Sequence, residues 1–405
     1  MMKFIPTEEI FKRKGSRSGL PAWAYDNAEL TALEIDRIFL RSWLFVAHAA
    51  ELPRSGDYQC FGMGDERAVV VRDGEGEIRA FYNVCRHRAS RVVPEEKGHC
   101  GKSFICPFHG WSYNLDGSLR NIPKADSFPE LEREQYGLKP LDCEVWHGLI
   151  FIRFGGEGAS VAQMMAAAEE EVGLYRIEDM ECLGESYNLE FDLDWKAVVD
   201  VDNEGYHVPV GHPELFDLVG STYNDQRLEG GLGRSYSSFK DRKFKFQRNR
   251  DYVEALPEDS YLPESHRHCW IYWGMYPTFV LTLFPDQIEI YQFFPTGPQQ
   301  SLMKGKCFAL PDERPQMQKA RELNQAINAG VGSEDIQLIE WVAEGMRSSA
   351  FDGLMLSDLE SGVAAFHNAL RDELPVLELE QAPAQGSLKQ VNQELRAKAR
   401  VSAAS

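Results

Sequence analysis

The sequence predicts an α+β protein of 405 residues, with a small all-β domain ahead of a larger domain that combines helices with an antiparallel sheet. Short β-rich runs separated by turn residues fill the stretch 58–154. From residue 161 onward, helical periodicity alternates with longer strands, which favours an α+β domain. A glycine-rich segment at residues 155–158 separates the β-rich region from the mixed region and is predicted to be a linker.

The elements of the first two segments follow from periodicity and turn residues. Residues 1–40 are predicted to be an N-terminal helical segment, because Leu30, Leu33 and Ile38 recur on one side of acidic residues. Residues 41–155 are predicted to form the all-β domain. Its clearest strands and hairpin-type turns are at 68–71, 104–106, 148–152, 73–74 and 116–117.

The second domain is predicted to span residues 156–380. The expected helices and strands are at 161–174, 187–193, 279–294, 302–310, 315–329 and 357–374. Residues 381–405 form a polar, alanine-rich C-terminal tail that is expected to be poorly ordered.

Charge and composition exclude several classes of partner. The chain has 43 Lys and Arg against 63 Asp and Glu, a net charge of −20. Such a surface repels phosphate backbones and anionic lipid, so neither nucleic acid nor a membrane is expected as a partner. No apolar export signal is evident at the N-terminus, and eight cysteines are too dilute for a disulfide scaffold. The expected compartment is the cytoplasm.

Two Cys-His pairs form the first chemical motif. Cys85 and His87 are separated by one residue, and Cys106 and His109 by two, with both pairs in loops between strand-like runs. Two thiolates and two imidazoles can hold a tetrahedral zinc ion. They can equally hold a [2Fe–2S] cluster, with the cysteines on one iron and the histidines on the other.

A second motif surrounds two further histidines. If the helix that begins near Trp195 continued, Asp200, Glu204 and His207 would share one face. His212 would point elsewhere, but Pro209 ends or distorts the helix and lets His212 return beside His207. Two histidines and one carboxylate with open positions form the facial triad of non-haem Fe(II) oxygenases.

Two more features have both a structural and a functional interpretation. Trp270, Tyr272, Trp273 and Tyr276 are either core residues or a cation–π cage for a quaternary ammonium. Lys196, at the head of the histidine helix, is expected to be a solvated surface charge.

The motifs resemble those of a known family. The run Cys106-Pro-Phe-His-Gly-Trp111 resembles the second cluster loop of Rieske iron–sulfur domains, and Cys85-Arg-His-Arg88 resembles the first. Phe108 stands where respiratory Rieske proteins carry an extra cysteine, so the resemblance is to the oxygenase type. Glu204, His207 and His212 are similar to the iron motif of Rieske non-haem iron oxygenases.

The resemblance implies roles for several acids. Glu204 occupies the position of a bridging residue, which would join an iron-ligand histidine to a cluster-ligand histidine of a neighbouring subunit. The family takes its third iron ligand from the start of a C-terminal helix. That favours Asp335, with Glu334 and Glu340 as lesser candidates, on a helix that Ser333 would cap.

The implied protein is the oxygenase (α) subunit, with a helix-grip catalytic domain, a [2Fe–2S] cluster, a mononuclear Fe(II) and a homotrimeric ring. Electrons would come from a separate NAD(P)H-dependent flavin or iron–sulfur reductase, since this chain lacks a glycine-rich dinucleotide fingerprint. A glutamate at position 204 is associated with monooxygenases and demethylases of carnitine and betaines. The alternatives are an aromatic ring-hydroxylating dioxygenase, a Rieske electron-transfer protein and a zinc-stapled binding protein.

Overall fold

The computed structural model describes residues 3–241 and 243–404, with side chains omitted at residues 400 and 402–404. The outermost ends of the predicted N-terminal segment and C-terminal tail therefore lie outside the described residues. The chain divides into two compact units. The β-rich unit comprises residues 39–163 and 176–181, and the large unit comprises the rest.

Three antiparallel sheets build the β-rich unit, in the orders β1-β10-β9, β4-β3-β2-β5 and β6-β7-β8. The strands are β1 Leu44–His48, β2 Asp57–Met63, β3 Glu66–Arg72, β4 Ile78–Tyr82, β5 Lys97–His99, β6 Ser103–Ile105, β7 Ser112–Asn114, β8 Leu119–Asn121, β9 Asp142–Trp146 and β10 Leu149–Arg153. Alternation places Val69 and Val71 in a core with Phe104 and Trp111, so this sheet framework supports the cysteine-containing loops.

The large unit is built on one seven-stranded antiparallel sheet, in the order β11-β17-β16-β15-β14-β13-β12. Its strands are β11 Glu181–Phe191, β12 Asn224–Leu228, β13 Leu232–Ser238, β14 Cys269–Met275, β15 Phe279–Leu283, β16 Ile288–Gly297 and β17 Gln300–Ala309. With its helices, this sheet confirms the predicted α+β class.

The α-helices follow the chain from the N-terminus to the tail. They are α1 Thr7–Ile10, α2 Ala28–Arg37, α3 Val161–Met164, α4 Glu169–Gly173, α5 Trp195–Asp202, α6 Val208–Gly211, α7 Pro213–Val219, α8 Gln247–Ala255, α9 Pro315–Met346, α10 Ser361–Glu373 and α11 Leu388–Ala404. Helix α5 packs on β16 and β17. Helices α7, α8 and α9 enclose Trp270 of β14 in a shared core.

The structure differs from the predicted elements in four places. The stretch 161–174 forms two short helices, α3 and α4, instead of one. The predicted strand at 279–294 is two antiparallel strands, β15 and β16, because the chain turns between Phe284 and Gln287. Ser333 does not cap a helix, because its hydroxyl donates to the Ala329 carbonyl inside the continuous 32-residue helix α9. The expectation of a poorly ordered tail is wrong: α11 buries Leu388, and Asn392 accepts a hydrogen bond from the Val376 amide.

Lys196 is also placed differently from the expectation. Its side chain is fully buried, with the ammonium 2.7 Å from Glu34 Oε1 and 2.7 Å from Asp194 Oδ1. Asp194 is also the N-cap of α5 and accepts from the Lys196 amide. The start of α5 is therefore held by a buried ion-pair network instead of a solvated charge.

Candidate metal centres

Two similar loops hold the cysteines and histidines of the β-rich unit. In the first, the Ala89 amide donates to the Cys85 carbonyl at 3.0 Å, and in the second the Gly110 amide donates to the Cys106 carbonyl at 3.0 Å. Ala89 and Gly110 close these turns with positive φ angles of 59° and 71°. Each loop thus turns back sharply and presents one thiol and one imidazole.

The four side chains are arranged as a thiol pair and an imidazole pair. Burial raises the pKa of Cys85, and the Cys106 thiol, which hydrogen-bonds with it, adds to the rise. The rings of His87 and His109 have centroids 4.6 Å apart. Sulfur beside sulfur and nitrogen beside nitrogen is the division that a Rieske-type [2Fe–2S] cluster requires.

The surroundings of the histidine pair leave a ligand atom free. The His87 ring stacks on Trp111 at 5.0 Å, and its Nδ1 is buried without a hydrogen-bond partner among the described residues. Burial, with the nearby His109 and Arg88, lowers the pKa of His87 and favours the neutral imidazole. A buried neutral imidazole with an unpaired nitrogen fits a metal cluster.

A hydroxyl also approaches one sulfur. Tyr113 Oη lies 3.2 Å from Cys85 Sγ and accepts a hydrogen bond from the Arg86 amide at 3.0 Å. Because the amide occupies an acceptor position, the single hydroxyl proton is available to the sulfur.

The large unit brings together a second group of ligand atoms. His207 precedes the single-turn helix α6 and His212 follows it, so their Nε2 atoms lie 3.1 Å apart. Asp335 Oδ1, from α9, lies 2.9 Å from His212 Nε2 and 3.7 Å from His207 Nε2. Among the described residues, this is the one group of three or more potential ligands whose ligand atoms all lie within 4.8 Å of one another.

Each of these histidines has a carboxylate on its other ring nitrogen. His207 Nδ1 donates to Glu204 Oε1 at 2.5 Å, and His212 Nδ1 donates to Glu334 Oε2 at 2.9 Å. Both rings therefore turn Nε2 toward Asp335, the arrangement expected behind metal-ligating histidines. Burial acts to lower the pKa of His212, but Asp335 and Glu334 outweigh it and raise the pKa.

Comparison with family models matches both units. Residues 42–133 match the Rieske [2Fe-2S] domain, and residues 178–375 match the ring hydroxylating alpha subunit (catalytic domain). The chain belongs to the Rieske non-haem iron oxygenase family. The predicted order, a Rieske domain followed by a catalytic domain of helices on an antiparallel sheet, is confirmed. Proteins of this family hold a [2Fe–2S] cluster in the first domain and a mononuclear iron in the second.

The chain resembles oxygenase subunits of known monooxygenases at modest identity. It is 32% identical over 213 residues to the glycine betaine monooxygenase oxygenase subunit of Chromohalobacter salexigens, covering 53% of this chain and 47% of that one. The chain thus spans about half the length of this relative. It is 26% identical over 365 residues to the carnitine monooxygenase oxygenase subunit of Escherichia coli K12, covering 87% and 92% of the two chains.

Solved structures show the same fold. A quaternary ammonium Rieske monooxygenase in complex with L-carnitine matches with a TM-score of 0.74 and 22% identity, covering 92% of this chain and 99% of that chain. Naphthalene 1,2-dioxygenase from Rhodococcus sp. matches with a TM-score of 0.71 and 20% identity, over 90% and 95% of the chains. At these identities the likeness concerns the fold alone. None of the oxygenase's described helices has the length and apolar character to cross a bilayer.

The acids of the catalytic domain are arranged differently from the helical prediction. Helix α5 ends at Asp202, so Asp200, Glu204 and His207 do not share a helical face. Asp200 instead pairs with His367 Nε2 at 2.8 Å and accepts from the Tyr25 hydroxyl at 2.9 Å. Glu204 reaches His207 through a loop, which the helical spacing could not predict.

Sequence reasoning missed the position of Glu334. It was a lesser candidate for the third ligand, but in the structure its carboxylate contacts the far nitrogen of His212. Glu340, the other lesser candidate, accepts from Gln337 at 3.1 Å and is not in the ligand group. The signal that could have found Glu334 is its place beside Asp335, which carries it to the same end of the site.

The four predicted substrate aromatics do not form one cage. Strand alternation along β14 puts Trp270 and Tyr272 on one face and Trp273 on the other, where its indole donates to Glu171 at 2.8 Å. Trp270 is fully buried in the core with Tyr252. Tyr276 lies beyond the strand, and its hydroxyl is buried without a partner among the described residues. The charge of Asp335 contributes to the raised pKa of Tyr272, after burial and the charges of Glu289 and Asp202.

Asp202 is a further acid that sequence reasoning missed. Its Oδ1 accepts from the Tyr291 hydroxyl at 2.8 Å, and burial raises its pKa to about 7. The carboxylate is also close enough to Asp335 and His207 for their charges to act on it. Asp202 is thus a buried acid within electrostatic range of the candidate iron centre.

Proposed function

We propose that this chain is the oxygenase component of a multicomponent system that hydroxylates or N-demethylates a quaternary ammonium compound, with a betaine as the favoured substrate. The convergence of His207, His212 and Asp335 carries the proposal. The similarity to glycine betaine and carnitine monooxygenase subunits supports the substrate class. Electrons would come from a separate NAD(P)H-dependent flavin or iron–sulfur reductase.

The geometry supports an assignment of residues to each metal group. Cys85, His87, Cys106 and His109 would bind the [2Fe–2S] cluster, and His207, His212 and Asp335 the mononuclear iron. An Fe(II) held by these three residues would supply the activation of O2. The chain's own contribution is positional, because Glu204 and Glu334 keep the Nδ1 protons in place and fix both rings.

The reaction inserts one oxygen atom into a C–H bond next to the substrate nitrogen. The other oxygen atom leaves as water after uptake of two electrons and two protons. Hydroxylation of an N-methyl group yields a hemiaminal, which breaks its C–N bond and releases formaldehyde.

We further propose that Glu204 is the bridging residue between the iron centres of neighbouring subunits in a homotrimer. Apolar side chains are exposed beside both centres, as an interface requires: Tyr206 is 57% and Val210 87% exposed beside His207, and Phe108 is 54% exposed beside His109. Two different patches on one chain suit a heterologous contact that closes into a ring. We propose a cytoplasmic location, which agrees with the absence of a disulfide bond at the six cysteines outside the cluster loops.

The test combines metal analysis with turnover. Purified protein should contain iron and acid-labile sulfide, and with a compatible reductase it should consume O2 and release formaldehyde from betaines. Asp335→Ala should lose the mononuclear iron while the visible spectrum of the cluster persists. Zinc in place of iron would refute the proposal. Turnover of simple aromatic acids to cis-diols, without formaldehyde from any N-methyl compound, would favour an aromatic ring-hydroxylating dioxygenase.

A further inference from the structure

The catalytic domain contains a cavity of about 370 Å³ that none of the predicted metal ligands lines. It lies between the sheet strands β13 to β16 and the helices α5 and α10. Its apolar walls are formed by Val199, Tyr276, Phe279, Val280, Phe293 and Phe366. The volume and the aromatic walls suit a small organic molecule.

Glycines create the space above the sheet. Gly233 of β13 and Gly274 of β14 are directly paired in the sheet and both line the cavity. A Cβ added at Gly274 would meet nothing within 4 Å. The open volume therefore lies over Gly274, whereas the Arg227 guanidinium covers Gly233.

One wall of the cavity carries a fixed cation, Arg227. Its guanidinium lies between Gly233 and Gly362, where an added Cβ would come within 2.2 Å of Nη1 and 1.9 Å of Nη2 respectively. Nη2 donates to the Asn203 carbonyl at 2.7 Å and is 3.9 Å from Asp225, beyond hydrogen-bond distance. The Nε–H is buried and has no acceptor in the described part of the chain. The protein thus holds this cation rigidly but neutralises it incompletely.

A second charge in the cavity wall, Asp202, has the opposite sign. It comes from the C-terminal end of α5 and is held by the Tyr291 hydroxyl. The charges of Asp335 and His207 act on the same carboxylate, so Asp202 is within electrostatic range of the candidate iron centre. At the rim, Arg13 is already paired with Asp372 and Glu378 at 2.7 and 2.6 Å, and the exposed Glu9 is paired with Lys12. Asp202 and Arg227 are the remaining charged residues of the lining.

We propose that this cavity binds a zwitterion, with a carboxylate on Arg227 and a quaternary ammonium directed toward Asp202. The inference rests on the proposed function and narrows its substrate class to carboxylate-bearing betaines over simple cations such as choline. Arg227 supplies the donors that a carboxylate prefers. Asp202 and the rings of Tyr276 and Phe366 supply the negative charge and π faces that attract an ammonium.

Three probes of similar shape distinguish the contribution of the ligand carboxylate from that of the ligand ammonium. Glycine betaine has both, choline has only the ammonium, and 3,3-dimethylbutanoate has only the carboxylate. Each would be titrated calorimetrically into the anaerobic, metal-loaded holoprotein, so that binding is measured without turnover. The variants are Arg227→Gln, Arg227→Lys and Asp202→Asn, with Arg314→Gln as the control, because Arg314 forms exposed ion pairs with Asp312 and Asp259.

The wild-type protein should bind glycine betaine at least about tenfold more tightly than choline. Arg227→Gln should raise the Kd of glycine betaine and 3,3-dimethylbutanoate by about ten- to a hundredfold and leave that of choline within about threefold. Arg227→Lys should recover part of the loss. Asp202→Asn should weaken glycine betaine and choline but not 3,3-dimethylbutanoate, and Arg314→Gln should change nothing.

The inference is overturned if Arg227→Gln binds glycine betaine as the wild type does. It is also overturned if the variant weakens all three probes equally, or if the wild type binds none of them. Binding of glycine betaine with the expected pattern but without O2-dependent turnover would support the cavity assignment and refute the proposed oxidation. Failure of the cavity assignment can therefore be distinguished from failure of the proposed oxidation.

Discussion

At the scale of single residues, the side chains behind the ligand atoms determine how those atoms are presented. Tyr113 approaches the sulfur of Cys85, and the acids Glu204 and Glu334 hold the far nitrogens of His207 and His212. Such contacts fix tautomers, orient rings and tune the charge on a sulfur. Two predictions belong to this scale.

Tyr113→Phe should lower the reduction potential of the cluster. The Tyr113 hydroxyl proton stabilises added negative charge on the sulfur, and one hydrogen bond of about 1 kcal/mol corresponds to roughly 40 mV for one electron. A redox titration followed by EPR measures the shift. Tyr82→Phe is the matched control, because its hydroxyl donates to the Phe154 carbonyl in the same unit. Equal potentials in wild type and Tyr113→Phe would contradict the prediction.

Glu334→Ala should weaken mononuclear iron binding by about ten- to a hundredfold, because the His212 ring loses the acceptor that orients it. Equilibrium titration of metal-free protein with Fe(II) under anaerobic conditions gives the affinity. The visible spectrum of the cluster should not change. Glu340→Ala, on the same helix but hydrogen-bonded only to Gln337 among the contacts observed, should bind iron normally. If both variants behaved alike, Glu334 would have no positioning role.

At the scale of secondary-structure elements, buried polar groups attach the site-bearing helices to the rest of the catalytic domain. Lys196 joins the first turn of α5 to Glu34 of α2 and to Asp194. Asp286, between β15 and β16, accepts from Tyr252 of α8 at 2.7 Å and from Asn324 of α9 at 3.1 Å. Helix positions near the metal centre thus depend on groups that never touch a metal.

Lys196→Met should destabilise the catalytic domain by about 3–5 kcal/mol, because it leaves two buried carboxylates without their cation. The free energy of unfolding in urea is the measurement. Lys12→Met removes a solvent-exposed partner of Glu9 and should cost no more than about 1 kcal/mol. A loss of the same small size at Lys196 would mean that the ion pairs contribute little to folding.

We expect the free energy of unfolding to depend on pH through the carboxyl group of Asp286. Burial raises its pKa to about 6, against the hydrogen bonds from Tyr252 and Asn324, and Oδ2 is buried without a partner among the described residues. The folded state holds the Asp286 proton more tightly than the unfolded state does. The contribution of this carboxyl to the free energy of unfolding is therefore greatest below pH 4. This contribution falls by up to about 3 kcal/mol as the pH rises through 6.

Unfolding free energies measured between pH 4 and 7 test this dependence. The Asp286→Asn variant cannot titrate at this position and keeps an acceptor oxygen for Tyr252. Its stability should therefore decline less steeply with pH than that of the wild type. Parallel profiles would assign the decline to other groups, such as Asp202 and Glu34, whose pKa values are also raised to about 7.

At the scale of the whole molecule, the cluster of one subunit in the proposed trimer would pass electrons to the mononuclear iron of its neighbour. Cys106→Ser should lack the cluster and Asp335→Ala the mononuclear iron, so each homotrimer should be inactive. Coexpression should produce mixed trimers in which an intact cluster meets an intact iron centre, and O2-dependent formaldehyde release should reappear. Mixed trimers of about three times 46.0 kDa without activity would contradict electron transfer between subunits.

Motifs with short spacing could be predicted from the sequence, because local chain geometry places their side chains together. The Cys85 and Cys106 loops and the proline between His207 and His212 are of this kind, and the structure brings each set into contact or close proximity. Alternating and helical patterns likewise predicted the α+β class. The continuity of α9 and the order of α11 were missed, since both depend on contacts with distant residues.

The sequence by itself determined the fold class and the two chemical motifs, because these depend on residue identity within a few positions, and the resemblance of the motifs to a family favoured iron over zinc. Only the tertiary structure decided that Glu334 contacts His212, that Lys196 is buried, and that Arg227 and Asp202 share a cavity. Glu334 and His212 are 122 positions apart in the chain, and Lys196 and Glu34 are 162 apart. Their proximity comes from sheet order and helix packing, which no local pattern encodes.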